Sequence, residues 1–208
     1  DAAPPTGVAV PKPVLNSRTG LGHCTIQAAI DDPLTLNGDT ITVAAGTYVE
    51  ELRINKSVTL LGPNADINPN TGDRVEEAVI KSSVDGAVIT QVTGVSIKGF
   101  TFDGQGTSDS AIYAYDGAGS VVIENNILMN HDYGALVFYN YTNSGGVTTN
   151  NIIKNNKIET VTGTYGLGML LYNNFYAEVT GNVISDVRVG IQTGNYYRAN
   201  TGAPATLS

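Results

Sequence analysis

One short segment keeps returning along this chain, and its return limits the folds open to it. Val121-Val122-Ile123-Glu124-Asn125-Asn126-Ile127-Leu128 comes back as Asn151-Ile152-Ile153-Lys154-Asn155-Asn156-Lys157-Ile158, and again as Ala177-Glu178-Val179-Thr180-Gly181-Asn182-Val183-Ile184. The Asn126–Asn156 and Asn156–Asn182 intervals are 30 and 26 residues. A weaker copy stands earlier, Val95-Ser96-Ile97-Lys98-Gly99-Phe100-Thr101-Phe102. A second apolar segment alternates with the first: Ala111-Ile112-Tyr113-Ala114-Tyr115, Gly134-Ala135-Leu136-Val137-Phe138, Gly168-Met169-Leu170-Leu171-Tyr172 and Gly190-Ile191-Gln192-Thr193. Segments this short cannot bury their own apolar side chains, so each repeat must stack on its neighbours. Strands stacked turn on turn, about 4.8 Å apart, place Ile, Val and Leu in one continuous core. Unequal intervals then reflect loops of different length on the outside.

The Asn pairs are expected to build the corners. One Asn of each pair suits the left-handed backbone at a bend. The other is expected to point inward and hydrogen-bond its copies above and below, so that Asn126, Asn156 and Asn182 stack. Upstream, Thr25-Ile26-Gln27-Ala28-Ala29-Ile30 is the convincing helical stretch, with Thr25 as its cap and Pro33 as its stop. Its apolar residues Ile26, Ala29 and Ile30 fall on one face, as in an amphipathic lid. Asp39–Val43 reads as a strand, Ala45–Tyr48 as a turn, Val49–Ile54 as a second strand and Val58–Gly62 as a third. No long helical crossovers separate these strands, which excludes an ordinary βαβ fold.

The stretch Thr25–Ile30, then Ile41-Thr42-Val43-Ala44-Ala45-Gly46-Thr47-Tyr48-Val49-Glu50, then Ile54-Asn55-Lys56-Ser57-Val58-Thr59-Leu60-Leu61-Gly62, resembles the first coils of the pectin lyase-like β-helix superfamily. It is similar to the opening of pectin methylesterases and of many bacterial surface β-helix proteins. The Asn-Asn-x-Ile turns resemble later coils of the same superfamily. The resemblance spans about residues 21–195 and rests on scaffold motifs, which speak for fold rather than activity. The expected fold is therefore all-β: a right-handed, single-stranded parallel β-helix, a solenoid, with a short N-terminal capping helix. Residues 1–20 are expected as an extended lead-in, 21–198 as the β-helix and 199–208 as a C-terminal tail or linker. No amphipathic helix follows Gly190–Thr193, so the last coil is expected to be uncovered. Either the chain is a segment of a longer protein, or that end self-associates end to end with another subunit.

Composition narrows the partners. The chain has 24 Gly, 11 Tyr, no Trp and 14% charged residues, a poor mixture for helices. A net charge of −8 and the absence of any basic run argue against nucleic acid. No stretch approaches the roughly 20 apolar residues of a membrane-spanning helix. Cys24 is the sole cysteine, which excludes an intrachain disulfide, and it is expected as a small buried hydrophobe. The opening Asp1-Ala2-Ala3-Pro4-Pro5 reads as a mature N-terminus after signal removal or as an arbitrary boundary. An extracellular or cell-surface location follows. Two triplets, Asn55-Lys56-Ser57 and Asn140-Tyr141-Thr142, have the form of N-glycan acceptors, as chance allows in so Asn-rich a chain.

Catalytic chemistry has few candidates. The methylesterases that the N-terminal coils resemble use two Asp, Gln side chains, an Arg and a Trp. This chain lacks Trp and has three Gln, Gln27, Gln91 and Gln192, so the esterase activity is not carried over. Lyases of the superfamily imply carboxylates that bind Ca²⁺ and an Arg or Lys base. The candidates are Asp103, Asp116, Asp132 and Asp186 with Lys154, Arg188 and Arg198. No short Asp cluster supplies the converging oxygens that Ca²⁺ needs, so no cofactor and no metal site is assigned. Asp103-Gly104 and Asp116-Gly117 read as turns. His23 precedes the lid helix, and His131-Asp132-Tyr133 reads as a solvated loop.

The tyrosines are the strongest functional signal. Tyr115, Tyr139, Tyr172 and Tyr196 stand at similar points of successive repeats, just after the second segment. Such rings either form an aromatic track that binds sugars or stack on one another for stability. Two functions remain open: a structural or adhesive secreted or cell-surface protein whose Tyr-rich face contacts a polysaccharide or surface glycan, and a polysaccharide lyase or glycoside hydrolase, or a fragment of one, acting on acidic polysaccharide.

Overall fold

The computed structural model describes residues 12–140, 148–173, 175–194 and 206–207. The chain enters through β1 (Val14–Asn16), β2 (Gly22–His23) and helix α1 (Ile26–Asp31). The first coil holds β3 (Thr40–Val43), β4 (Gly46–Val49) and β5 (Leu52–Ile54). The next holds β6 (Thr59–Leu61), β7 (Ala78–Lys81) and β8 (Ala87–Thr90). In the two coils that follow, β9 (Ser96–Lys98) leads into the long, bent β10 (Thr101–Tyr115), and β11 (Val122–Glu124) leads into β12 (Ile127–Tyr139). Then come β13 (Thr148–Lys154), β14 (Lys157–Val161) and β15 (Leu167–Tyr172), followed by β16 (Phe175–Thr180), β17 (Val183–Val187) and β18 (Val189–Gly194). Finally β19 (Thr206–Leu207) lies beside β16.

From β3 onward each strand pairs in parallel with its counterpart one coil away, so the molecule is a parallel β-helix. A 9-stranded sheet, β19-β16-β13-β11-β9-β6-β3-β1-β2, forms one face. A second, 10-stranded sheet bends to form the other two. Register explains the core. Ile41, Leu60, Ile97, Ile123, Ile153 and Val179 are successive partners on the first face and form one buried row. On the second face Tyr48, Ile80, Phe102, Leu128 and Ile158 do the same, and the half-buried Ile184 continues their row. Alternation within each strand sends these residues inward and their neighbours out.

The corners follow from backbone conformation. Gly99, Asn125, Asn155 and Gly181 all have positive φ, 75°, 57°, 54° and 64°, and stand at the same bend in successive coils. Glycine has no Cβ to clash there, and Asn tolerates the conformation better than other side chains. The residue after each bend turns inward. Asn126 Nδ2 donates to Asn156 Oδ1 (3.1 Å), and Asn156 Nδ2 donates to Asn182 Oδ1 (2.9 Å). The same oxygens accept the backbone N–H groups of Asn126 and Asn156 at 3.0 and 2.8 Å. In the coil before, Phe100 N–H donates to Asn126 Oδ1 (3.0 Å), so the series begins where a Phe replaces the Asn.

The N-terminal end is closed. Thr25 caps α1 by accepting from Ala28 N–H (3.1 Å), and Ile26, Ala29 and Ile30 are buried. Gln27 treats the free edge of β5 as a strand would: its Nε2 donates to Arg53 O (3.2 Å) and its Oε1 accepts from Arg53 N–H (2.8 Å). Lys56 Nζ donates to the carbonyls of Ile30 and Asp32 at 2.8 and 2.9 Å, which closes the far end of the helix. The other end differs. Among the described residues no strand pairs with the outer edges of β17 and β18, and Val183 is 45% exposed.

Several expectations change. Gly46–Val49 is a strand rather than a turn, because Gly46 (φ +153°) bends the chain early and lets Tyr48 point inward, its hydroxyl donating to Ala44 O (2.8 Å). The strand expected over Val49–Ile54 is interrupted at Glu50, whose carboxylate accepts from the Ile26 and Gln27 N–H groups at 3.0 and 2.9 Å. Val14–Asn16, placed in the lead-in, pairs antiparallel with β3 and closes that sheet edge. Thr206–Leu207, placed in the tail, continues the sheet in register with Glu178 and Val179. Cys24 is exposed, not buried, in the connection between β2 and Thr25.

Candidate functional site

The second apolar segment of each repeat lies on the third face. Its inward residues include Ile112, Leu136 and Met169, aligned as partners. Its outward residues make a different set. Tyr113, Val137 and Leu170 form one row, and Tyr115, Tyr139 and Tyr172 form the next. The parallel register alone therefore brings Tyr115, Tyr139 and Tyr172 into line. The following partner is Gly194, and Tyr196 lies outside the described residues.

These rings pack as well as project. Tyr139 and Tyr172 stack with centroids 5.2 Å apart and planes 17° apart. Tyr113 and Tyr115 sit 5.3 Å apart at 39°. Below this face, at the preceding corner, Tyr133 meets Tyr165 edge-on at 5.1 Å. Val137 and Leu170 face outward yet are only 1% and 4% exposed, because Tyr113, Tyr133, Tyr139 and Tyr172 pack against them and Leu167. The third face thus carries a second apolar cluster outside the coil. The sequence holds its trace: Leu136-Val137-Phe138 and Met169-Leu170-Leu171 are continuous apolar runs, the pattern of strands buried on both sides.

The expected acid–base candidates are not brought together. Asp103 Oδ1 accepts from Asn130 Nδ2 (2.8 Å), and Lys81 stands 3.4 Å from its other oxygen. These hydrogen bonds and Lys81 hold its carboxyl below the usual range despite burial. Asp116 and Asp186 take positive φ at bends, 36° and 52°. Lys154 lies on the outside of the first sheet, 3.9 Å from Glu124, which Lys98 also meets at 2.8 Å. Arg188 donates to the Thr164 carbonyl at 2.5 Å. Asp132 is exposed on β12, and Arg198 lies outside the described residues. Among the described residues no three His, Cys, Asp or Glu side chains gather in a way that would hold a metal ion.

His131 overturns its expectation. It sits within β12 and is 2% exposed, not in a solvated loop. Asn130 ahead of it takes φ 61°, which turns the strand and sends the imidazole inside. Gly104 lies against the ring: a Cβ there would be 2.5 Å from Nδ1. Neither ring nitrogen makes a well-formed hydrogen bond. Burial pushes its pKa down to about 4, opposed only in part by the Phe102 backbone and Asp103. Asp85, half-buried near the same edge of the coil, is pushed up to about 6 by burial. A Ser110 hydrogen bond opposes that shift, and the Asp109 and Glu51 charges add to it. No expectation singled out Asp85, since only the coil geometry brings the three carboxylates near one another.

Comparison with known proteins agrees with this architecture. A family described as "Right handed beta helix region" matches residues 34–201. The chain belongs to the right-handed β-helix family. The right-handed β-helix is 32% identical over 122 residues, 59% of its own length, to a protein of Methanothermus fervidus named "Cell surface glycoprotein". It spans 18% of that protein's length. No solved structure matches it. Among the described residues no helix is long and apolar enough to cross a membrane.

Proposed function

We propose that this right-handed β-helix is a cell-surface or secreted structural domain whose third face contacts polysaccharide through Tyr113, Tyr115, Tyr139 and Tyr172. The carrying observation is the in-register alignment of Tyr115, Tyr139 and Tyr172 on one outer face, beside a cluster that keeps the rings fixed. Fixed rings lose little entropy on binding, and each adds a hydroxyl for hydrogen bonding. The likeness to a cell surface glycoprotein supports the location. The scattered Asp, Lys and Arg candidates favour this reading over a lyase or hydrolase.

The test is a glycan array, followed by titration of any bound oligosaccharide against the Tyr115→Ala and Tyr172→Ala variants. Binding should fall at least tenfold in both, and the thermal midpoint should fall less for Tyr115→Ala, whose ring meets Tyr113, than for Tyr172→Ala, whose ring also packs on the Val137 and Leu170 cluster. Unchanged affinity in both variants, or no glycan bound by the wild type, refutes the reading. Ultraviolet absorbance of unsaturated product after incubation with pectate and alginate, with Ca²⁺ present, tests the enzyme alternative.

The exposed edges of β17 and β18 are, in the same proposal, where a second copy associates. Light scattering over a concentration series should show mass rising with concentration and falling back in Val183→Lys. A monomer at every concentration refutes association.

A further inference from the structure

Two Asn-x-Ser/Thr triplets occur in the chain, and the fold treats them in opposite ways. Asn55 lies in the bend between β5 and β6, exposed, with its side chain bonded to nothing. Asn140 follows β12 and is 3% exposed. Its Nδ2 donates to the Asn173 carbonyl at 3.0 Å, and Asn173 Nδ2 donates back to the Asn140 carbonyl at 2.9 Å. The nitrogen that would carry a sugar is therefore the donor that joins two neighbouring coils. A glycan on it must separate those coils, because the side chain is buried where they join. A glycan on Asn55 displaces nothing.

We propose that Asn55 carries an N-linked glycan and that Asn140 stays unmodified in the folded protein. The proposal rests on the surface location inferred above. The donor class is an oligosaccharide on a polyprenyl phosphate lipid. Asn55 Nδ2 attacks the anomeric carbon, a C–N bond forms, the C–O bond to phosphate breaks, the amide gives up one proton and the lipid phosphate leaves. In the folded chain Ser57 Oγ donates to the Gly94 carbonyl (3.1 Å), Ser57 N–H donates to Asn37 Oδ1 (2.9 Å) and Lys56 is tied to the lid helix. A transferase that must grip the whole triplet reaches it before these bonds close. Transfer thus precedes folding, and folding then sorts the products. Chains modified at Asn55 close normally, whereas chains modified at Asn140 cannot join the Asn140 and Asn173 corner.

The glycan position has a structural consequence. Asn55 follows Ile54, whose partners are Ile89 and, one coil on, Ala114, so it continues the outer row of Thr90, Tyr115, Tyr139 and Tyr172 two coils before Tyr115; a glycan there flanks the N-terminal end of the Tyr row and stays clear of the β17 and β18 edges.

The full chain, secreted from a host that N-glycosylates, tests the proposal by site-resolved peptide mass spectrometry before and after peptide N-glycosidase. The folded, secreted fraction should carry glycan on the Asn55 peptide and none on the Asn140 peptide. Asn55→Gln should abolish the modification and leave the thermal midpoint and secreted yield of folded protein unchanged. Thr142→Ala, which removes the second triplet and keeps asparagine at position 140, should leave the glycan pattern as it was. Folded protein unmodified at Asn55, or folded protein modified at Asn140, overturns the proposal. Antibody labelling of intact source cells tests the location separately, so an intracellular chain that is glycosylated in the secreting host identifies a failure of the surface reading alone.

Discussion

Replacing Asn156 by Leu keeps the side-chain volume close to native and removes the middle of the Asn126–Asn156–Asn182 series. Asn156 is fully buried. Loss of its Oδ1 strands the Asn126 backbone N–H, which it accepts at 3.0 Å, although Asn126 Nδ2 keeps the Ile97 carbonyl at 3.0 Å. Loss of its Nδ2 removes the donor to the Ile123 carbonyl at 2.9 Å. Asn182 Oδ1 keeps the Asn156 backbone N–H at 2.8 Å. One buried donor is left unsatisfied and one buried acceptor is weakened. At roughly 1–3 kcal/mol for the stranded donor and about 1 kcal/mol for the weakened acceptor, the loss comes to about 2–4 kcal/mol. That is a large part of the ~5–15 kcal/mol by which domains are stable. Asn182→Leu strands the Asn156 N–H in the same way, but at a half-buried position, where water can replace the lost partner. Its loss should be about 1–2 kcal/mol. Urea unfolding followed by circular dichroism, with the slope m unchanged, gives both values. Equal losses in the two variants, or a loss under ~1 kcal/mol for Asn156→Leu, would show that the series carries no weight and that the coils are held by apolar rows alone.

The buried histidine makes stability depend on pH. His131 has a folded pKa of about 4 against an ordinary 6.5, so the unfolded chain binds its proton first. Its contribution is complete above pH 6.5 and is lost as pH falls toward 4, to a limit of about 3 kcal/mol. Thermal midpoints measured across that range should fall for the wild type and fall less for His131→Leu; parallel curves would refute the assignment. Asp85 acts in the opposite sense. Its folded pKa, raised to about 6 from 3.8, means that the folded chain loses stability as pH rises through that interval. Asp85→Asn should therefore raise the midpoint at pH 8 and leave it nearly unchanged at pH 3.5, and a lower midpoint at pH 8 would contradict the electrostatic account.

The sequence by itself determined the coil. Repeats of Ile123, Ile153 and Val179 at coil-length spacing have no way to be buried except by stacking, and the pairing of these residues follows from that. The Asn pairs were equally readable, because few residues other than Gly and Asn accept positive φ at a bend. The lid helix was legible from Thr25 and the spacing of Ile26, Ala29 and Ile30. What only the tertiary structure decided lies at the corners and on the outer faces. Whether His131 points in or out depends on the φ of Asn130, which no periodicity reports. Gly46–Val49 becomes a strand because β7 lies alongside it, and Asn140 is buried because Asn173 is one coil away. Tyr139 and Tyr172 could be seen to recur, but their stacking over Val137 and Leu170 required the coils to be superposed. Local pattern fixes which residues seek burial, since side-chain direction alternates along each strand. Which polar or aromatic group meets which partner is set by contacts between coils some thirty residues apart, such as Asn126 with Asn156, and no window of sequence contains both sides of such a contact.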